Sequence, residues 1–256
     1  MLAGGAGTRL APLTKVASKQ LLPIYDKPLI FYPISTLMLA GIREILIIVA
    51  PEQLSSFRQL LGDGTQFGVS FMYKIQEHPA GIAQSLIIGS DFLSQSSCCL
   101  ILGDNIFHGP GLGRSLAADT RVLGAKVFGY SVRNPEAYGI ASIDDNGVVQ
   151  KLVEKPERSI SNIAIPGLYF LDERASDFAL GLKPSERGEL EILDLLECYR
   201  KNNELRLEKL PLGTAWFDSG TFSDMHDASS YVRLMQERTG MRVGDPTDVA
   251  RVQGWI

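Results

Sequence analysis

Three glycines within four positions, Gly4, Gly5 and Gly7, open this chain inside the run Leu2-Ala3-Gly4-Gly5-Ala6-Gly7-Thr8-Arg9-Leu10. A chain so built leaves its first apolar residues through a loop whose backbone can approach an anion closely. Glycine serves any tight turn with positive φ equally well, so the loop alone also describes a plain strand-to-helix connection. The balance shifts with Thr8, Arg9 and the Lys19 of Ser18-Lys19-Gln20-Leu21-Leu22-Pro23. Consecutive N–H groups form an anion nest, and fixed cations behind it neutralise a phosphate. The P-loop spacing is absent, and the dinucleotide fingerprint should open straight into a long helix. Here Pro12, Leu13 and Thr14 intervene, and Pro23 and Pro28 punctuate the next stretch of chain. The expectation is a long loop wrapped over a nucleotide.

Beyond the loop, short apolar runs alternate with amphipathic stretches, the pattern of a parallel sheet with helices on both faces. Strands are expected at Ile45 to Val49, Val69 to Lys74, Leu100 to Leu102 and Lys126 to Val132. Helices are expected at Leu29 to Leu39, Gln53 to Leu61, Ile82 to Ile88 and Leu112 to Ala118. After residue 133 the pattern turns strand-rich, with Ile140 to Ile143, Val148 to Val153, Ile165 to Phe170 and a turn at Asp145-Asn146-Gly147. Helices at Glu173 to Leu182 and Leu190 to Asn202, a strand at Leu205 to Leu210 and a helix at Phe222 to Glu237 complete the pattern. A net charge of -4 argues against nucleic acid as a partner. No apolar run approaches the roughly 20 residues of a membrane span. Three cysteines, Cys98, Cys99 and Cys198, give no disulfide framework and point to a reducing cytoplasm.

Acidic residues at strand ends supply the next clue. Asp104, in Leu102-Gly103-Asp104-Asn105, closes an apolar strand, and ligands in open α/β sheets bind beyond such ends. A carboxylate there suits Mg²⁺ against a phosphate, although a cap on the next turn explains the triplet equally well. Asp218, in Trp216-Phe217-Asp218-Ser219-Gly220-Thr221, is a second candidate. Two distant carboxylates can clamp one metal between a triphosphate and its acceptor. Glu154-Lys155-Pro156 sets an acceptor for sugar hydroxyls beside a point charge for a phosphate; on spacing alone a surface ion pair is the stronger explanation. The acids of Arg187-Gly188-Glu189-Leu190-Glu191 could equally favour the start of the next helix. His78, His108 and His226 lack ligand spacing, and no nucleophile elbow appears, which favours direct displacement over a covalent intermediate.

Taken in order, these motifs resemble the glucose-1-phosphate thymidylyltransferases of the sugar nucleotidyltransferase family. Leu2 to Leu10, Ser18 to Pro28, Ser35 to Ile42, Leu61-Gly62-Asp63-Gly64, Leu102 to Phe107, Glu154-Lys155-Pro156, Gly167-Leu168-Tyr169-Phe170, Arg187 to Glu191 and Trp216 to Thr221 carry the resemblance. It implies a Rossmann-like, mostly parallel or mixed sheet flanked by helices, the nucleotide-diphospho-sugar transferase fold, as one domain over 1–256. A nucleotide-binding part would occupy 1–133 and an integrated sugar-binding part 134–256. The implied reaction joins dTTP and glucose 1-phosphate into dTDP-glucose and pyrophosphate, feeding deoxysugar biosynthesis such as that of rhamnose, in a cytoplasmic homotetramer. A uridylyltransferase and a nucleotide-sugar binder with little turnover stay open as alternatives.

Carried over residue by residue, the resemblance implies that Arg9 holds the triphosphate and that Lys19 neutralises charge near the reacting phosphorus, with Asp104 and Asp218 on Mg²⁺. Leu2, Gly4, Gly5, Gly7, Thr8 and Gln20 would line the nucleotide, and Gln76 and Gly81 would read the thymine edge. Glu154 would bind glucose hydroxyls, Lys155 and Arg187 the sugar phosphate, and Gly139 and Tyr169 would line the sugar pocket. Ser-Lys-Gln-Leu-Leu-Pro favours thymidylyl over uridylyl transfer, since bacterial UDP-glucose enzymes carry Lys-Glu-Met-Leu-Pro there. Val153 stands where an acid is common, and Leu193 and Ser219 stand where Thr is usual. Only Met1 and Leu2 remain of a first strand that commonly needs about five residues, so a shortened strand is expected. The family also continues beyond Gly254-Trp255-Ile256.

Overall fold

A computed structural model describes residues 1–5, 7–117 and 122–256. Ala6 of the glycine loop and Ala118, the expected end of a helix, lie outside the described residues. The strands are β1 (Leu2–Ala3), β2 (Pro23–Ile24), β3 (Lys27–Pro28), β4 (Glu44–Val49), β5 (Ser70–Ile75), β6 (Cys98–Ile101), β7 (Ile106–His108), β8 (Ala125–Ser131), β9 (Gly139–Ile143), β10 (Val149–Glu154), β11 (Ile163–Ala164), β12 (Leu168–Leu171), β13 (Leu205–Lys209) and β14 (Ala215–Phe217). The helices are α1 (Phe31–Leu39), α2 (Leu54–Leu61), α3 (Gln84–Ile88), α4 (Ser90–Leu93), α5 (Leu112–Ala117), α6 (Ala175–Leu180), α7 (Ile192–Lys201), α8 (Phe222–Thr239) and α9 (Pro246–Val252). The expected α/β alternation is present. The hairpin β2–β3, the pair β7–β14 and helix α9 are additions that apolar periodicity did not signal. Ile165 to Phe170, expected as one strand, is interrupted at Pro166 before β12 begins, because proline offers no N–H to a sheet ladder.

Two compact units interleave along the chain, where the sequence suggests a change near residue 133. The first comprises Met1–Pro79, Ile101–Ala118 and Leu212–Ile256, and the second Ala80–Leu100 and Asp119–Pro211. In the first, β1, β4 and β5 form a parallel sheet with β4 in the middle. Five consecutive buried residues, Ile45 to Val49, fill β4, as a strand covered on both faces requires. The two-residue β1 is short, as expected, yet held on both sides. The Met1 amino group donates to the Leu46 carbonyl at 2.8 Å, Ile48 N–H to Met1 at 3.0 Å, and Gly103 N–H to Leu2 at 2.8 Å. A core of Ile24, Leu29, Tyr32, Ile106, Ala228, Val232 and Val243 ties α1 and β7 to α8. Thr221 starts α8 with a capping box: its side chain accepts from Asp224 N–H, and the Asp224 carboxylate accepts from Thr221 N–H.

The second unit is built on a mixed sheet in the order β10, β9, β11, β8, β12, β6, with β13 off this path and parallel to β8. Asp145-Asn146-Gly147 turns β9 into β10 as expected, with Gly147 at φ 80° and the Asp144 carboxylate accepting from Asn146 and Val148 N–H. Helix α7 buries Leu195, Leu196 and Tyr199 completely and packs against β10. Each such side chain contributes about 1.5–3 kcal/mol by leaving water. Among the described residues, no helix is long and apolar enough to cross a membrane.

Candidate active site

The glycine loop of the first unit is a chain of single 3₁₀ turns, Thr8–Leu10, Leu13–Lys15 and Lys19–Leu21, that runs from β1 to the β2–β3 hairpin. Gly7 has φ 58°, and a Cβ there would lie 2.9 Å from Thr14 Cγ2. Both facts demand glycine. Thr14 closes the loop by donating its hydroxyl to the Gly7 carbonyl at 2.9 Å. Leu2, Gly4, Gly5 and Thr8 sit on this backbone, and the Gln76 side chain lies directly over Gly4. Gln20 is buried and accepts from the Ser18 hydroxyl at 2.5 Å.

At the end of the loop stands Lys19, its side chain only 7% exposed. Its ammonium donates to Asp104 Oδ2 at 2.8 Å and to the Asp218 carbonyl at 3.1 Å. Asp104 is fixed from its other oxygen, which accepts from Asn105 Nδ2 at 2.8 Å, while Asn105 Oδ1 accepts from the Trp216 indole at 2.7 Å. The Asp218 carboxyl is held above the usual carboxylate range, chiefly by burial and then by the negative charges of Asp224 and Asp104; Gly220 N–H and Lys19 oppose the shift. Arg9 comes to the same place: a Cβ on Gly220 would lie 2.9 Å from its guanidinium and 3.3 Å from Asp218 Oδ2. The first unit therefore gathers Arg9, Lys19, Asp104 and Asp218.

The second unit holds the other predicted residues. Glu154 ends β10 opposite Gly139 in register, and a Cβ on Gly139 would meet Glu154 Oε2 and Leu193 Cδ1, both at 3.0 Å. Burial raises the Glu154 pKa, with Lys155 and Arg187 opposing and Glu191 and Glu189 adding to the rise. Lys155 has φ 41° and a half-exposed side chain 3.9 Å from Glu154. Arg187 is engaged already: it binds Glu191 Oε1 and Oε2 at 2.9 Å each and lies 3.6 Å from both Glu154 and Glu189. Ser185 completes that cage by donating to Glu191 at 2.7 Å. Tyr169 is buried in β12 opposite Val127. Gly81, at φ 99°, packs on the backbone of Leu190, whose N–H and carbonyl pair with Ala80 and Ala83. Gln76 belongs to the first unit and Gly81 to the second.

The sequence profile of the nucleotidyl transferase family matches residues 1–233. The chain belongs to this family. It is 54% identical over 257 residues to the glucose-1-phosphate thymidylyltransferase of Xanthomonas campestris pv. campestris, covering 100% of this chain and 87% of that one. The enzyme of the same name from Mycolicibacterium smegmatis is 50% identical over 256 residues, with coverage of 100% and 89%. A crystal structure from Bacillus anthracis, of a protein assigned as a glucose-1-phosphate thymidylyltransferase and holding sucrose, superposes with a TM-score of 0.85 at 35% identity. It covers 96% of this chain and 97% of that one.

Several residues of this nucleotidyl transferase carry no signal in the sequence. Asn105 and Trp216 stand within motifs, yet nothing in their spacing indicates that an indole and an amide hold Asp104. Gly220 makes room for Arg9, a close approach that only tertiary structure reveals. Among the described residues, no group of three or more His, Cys, Asp or Glu side chains is arranged to hold a metal.

Proposed function

We propose that this nucleotidyl transferase moves a thymidylyl group from dTTP to glucose 1-phosphate. A sugar-phosphate oxygen bonds to the α-phosphorus, the bond from that phosphorus to the β-phosphate bridge breaks, and pyrophosphate leaves. The observation that carries this reading is the gathering of Arg9, Lys19, Asp104 and Asp218 in a chain 54% identical, over its whole length, to a thymidylyltransferase. Arg9 holds the triphosphate and then the departing pyrophosphate. Lys19, fixed by two oxygen partners, is already in place when charge spreads over the phosphoryl oxygens, so no reorganisation is needed at that moment.

Mg²⁺ fits the Asp104 and Asp218 pair, because it typically takes one or two carboxylates together with substrate phosphates and would favour the ionised Asp218 carboxylate that burial disfavours. When bound, the ion screens the phosphates against the incoming anion. Gln76 and Gly81 read the thymine edge, and the remaining loop residues line the nucleotide. In the second unit, Glu154 accepts from glucose hydroxyls, Gly139 and Tyr169 line the sugar, and Lys155 and Arg187 hold its phosphate. Free thiols at Cys98, Cys99 and Cys198 accord with a cytoplasmic setting, and assembly as a homotetramer is what the resemblance implies.

Pyrophosphate release from dTTP or UTP, with glucose 1-phosphate and Mg²⁺, tests the reading. Release with dTTP exceeding that with UTP is expected. A folded protein that releases none from either nucleotide would sink it, and a preference for UTP would reassign the base.

A further inference from the structure

Six residues other than glycine adopt positive φ among the described residues: Tyr25, Ser94, Gln95, Lys155, Asn203 and Ser219. Five of them are exposed. Ser219, at φ 47°, is completely buried, and its hydroxyl has no hydrogen-bond partner among the described residues. A left-handed serine and an unpaired buried hydroxyl are each unfavourable, and here both fall on one residue. Such strain persists only where the surroundings over-determine it, and it clusters at functional sites.

The neighbours of Ser219 show what the strain accompanies. On one side the Asp218 carbonyl accepts from Lys19 at 3.1 Å. On the other, Gly220 N–H donates back to Asp218 Oδ1 at 3.4 Å, and the open face of Gly220 admits Arg9. Every one of these contacts depends on the direction in which residue 219 turns the chain. Since the hydroxyl bonds to none of the described residues, the serine contributes its backbone and its Cβ. A residue with a Cβ has a narrow left-handed well, whereas glycine ranges over a broad one. A glycine here would relieve strain and lose direction together.

We propose that Ser219 is a positioning residue for divalent-cation binding, its left-handed turn holding the Asp218 carbonyl on Lys19 and the Asp218 carboxylate beside Gly220 and Arg9. This role rests on the reading of Asp104 and Asp218 as cation ligands. The test is Mn²⁺ binding to the full-length protein with dTTP present, followed by electron paramagnetic resonance, with thermal melts alongside, for Ser219→Gly and Ser219→Ala. Ser219→Gly is expected to melt at or above the parent yet bind Mn²⁺ about tenfold more weakly, ~1.4 kcal/mol. Ser219→Ala, which keeps the Cβ and removes only the unpaired hydroxyl, is expected to bind within about twofold of the parent.

Equal binding by Ser219→Gly and the parent overturns the proposal. So does a Ser219→Ala that loses as much affinity as the glycine variant, or a Ser219→Gly that melts well below the parent. A parent that binds no Mn²⁺ removes the cation reading and this role with it. The expected Mn²⁺ order in a protein that forms no dTDP-glucose would leave the role standing and defeat only the proposed activity.

Discussion

The charged clusters of the two units are assembled in opposite ways. In the first, Lys19 is joined to Asp104 across 85 positions of sequence and to the Asp218 carbonyl across 199. In the second, Arg187 meets Glu191 four residues on, with Ser185 and Glu189 in the same loop. In the first cluster Lys19 is buried and Asp104 and Asp218 are partly so, with the Asp218 pKa raised chiefly by burial; the second is a half-exposed cage whose cation is already spoken for. A preorganised site comes from distant elements locked by the core, whereas a local loop supplies charges that must exchange partners when a ligand arrives.

The contrast breaks first at Lys19. Lys19→Ala leaves Asp104 without its ammonium and is expected to lower kcat by about 10³-fold, read as pyrophosphate release in a protein whose melt shows it folded. A loss under tenfold would remove Lys19 from the reacting centre.

Asp218→Asn is expected to slow turnover by about 10²-fold and, at neutral pH, to melt above the parent. Burial raises the Asp218 pKa in the folded protein, so the native state binds that proton more tightly than the unfolded chain. The stability this contributes is full below the ordinary carboxylate pKa and is lost as pH rises through the raised native value. Melts taken across that window should therefore show the parent falling behind the asparagine variant as pH rises. A gap that widens toward acid pH would reverse the sign and defeat the argument.

Glu191→Gln probes the second cluster. With its bidentate partner neutral, Arg187 is freer to meet a sugar phosphate, and KM for glucose 1-phosphate is expected to fall by about fivefold with little change in kcat, the scale of a half-exposed ion pair. A rise in KM would instead assign Glu191 to holding the guanidinium in place. The smallest effect belongs to the α8 cap: Thr221→Ala should cost about 1 kcal/mol, seen as a melting temperature lower by about 2–4 °C.

Much of the architecture was legible from local pattern. The run Ile45 to Val49 could be little other than a strand buried on both faces, and Asp145-Asn146-Gly147 announced its turn. The strand pair β7–β14 was not legible, because a three-residue strand carries too little periodicity and its partner lies more than a hundred residues away. The candidate residues were likewise visible as motifs, each with an ordinary structural explanation, and motif order resolved what single spacings left open. The sequence offered Arg187 as a phosphate contact; the structure finds it inside three carboxylates, since nothing in the spacing of a loop says whether its arginine is free.

By itself the sequence determined the α/β alternation, the glycine loop and the inventory of charges at strand ends, because these depend on residue type and short-range spacing. Tertiary structure alone decided that Trp216 and Asn105 fix Asp104, that Gly220 leaves room for Arg9, and that Ser219 carries a buried, left-handed turn between them. Those are close approaches between remote segments, set by how the core packs, and local spacing does not encode them. The glycine loop needed both: its residues are written consecutively, while its partners Asp104 and Asp218 reach it only through the fold.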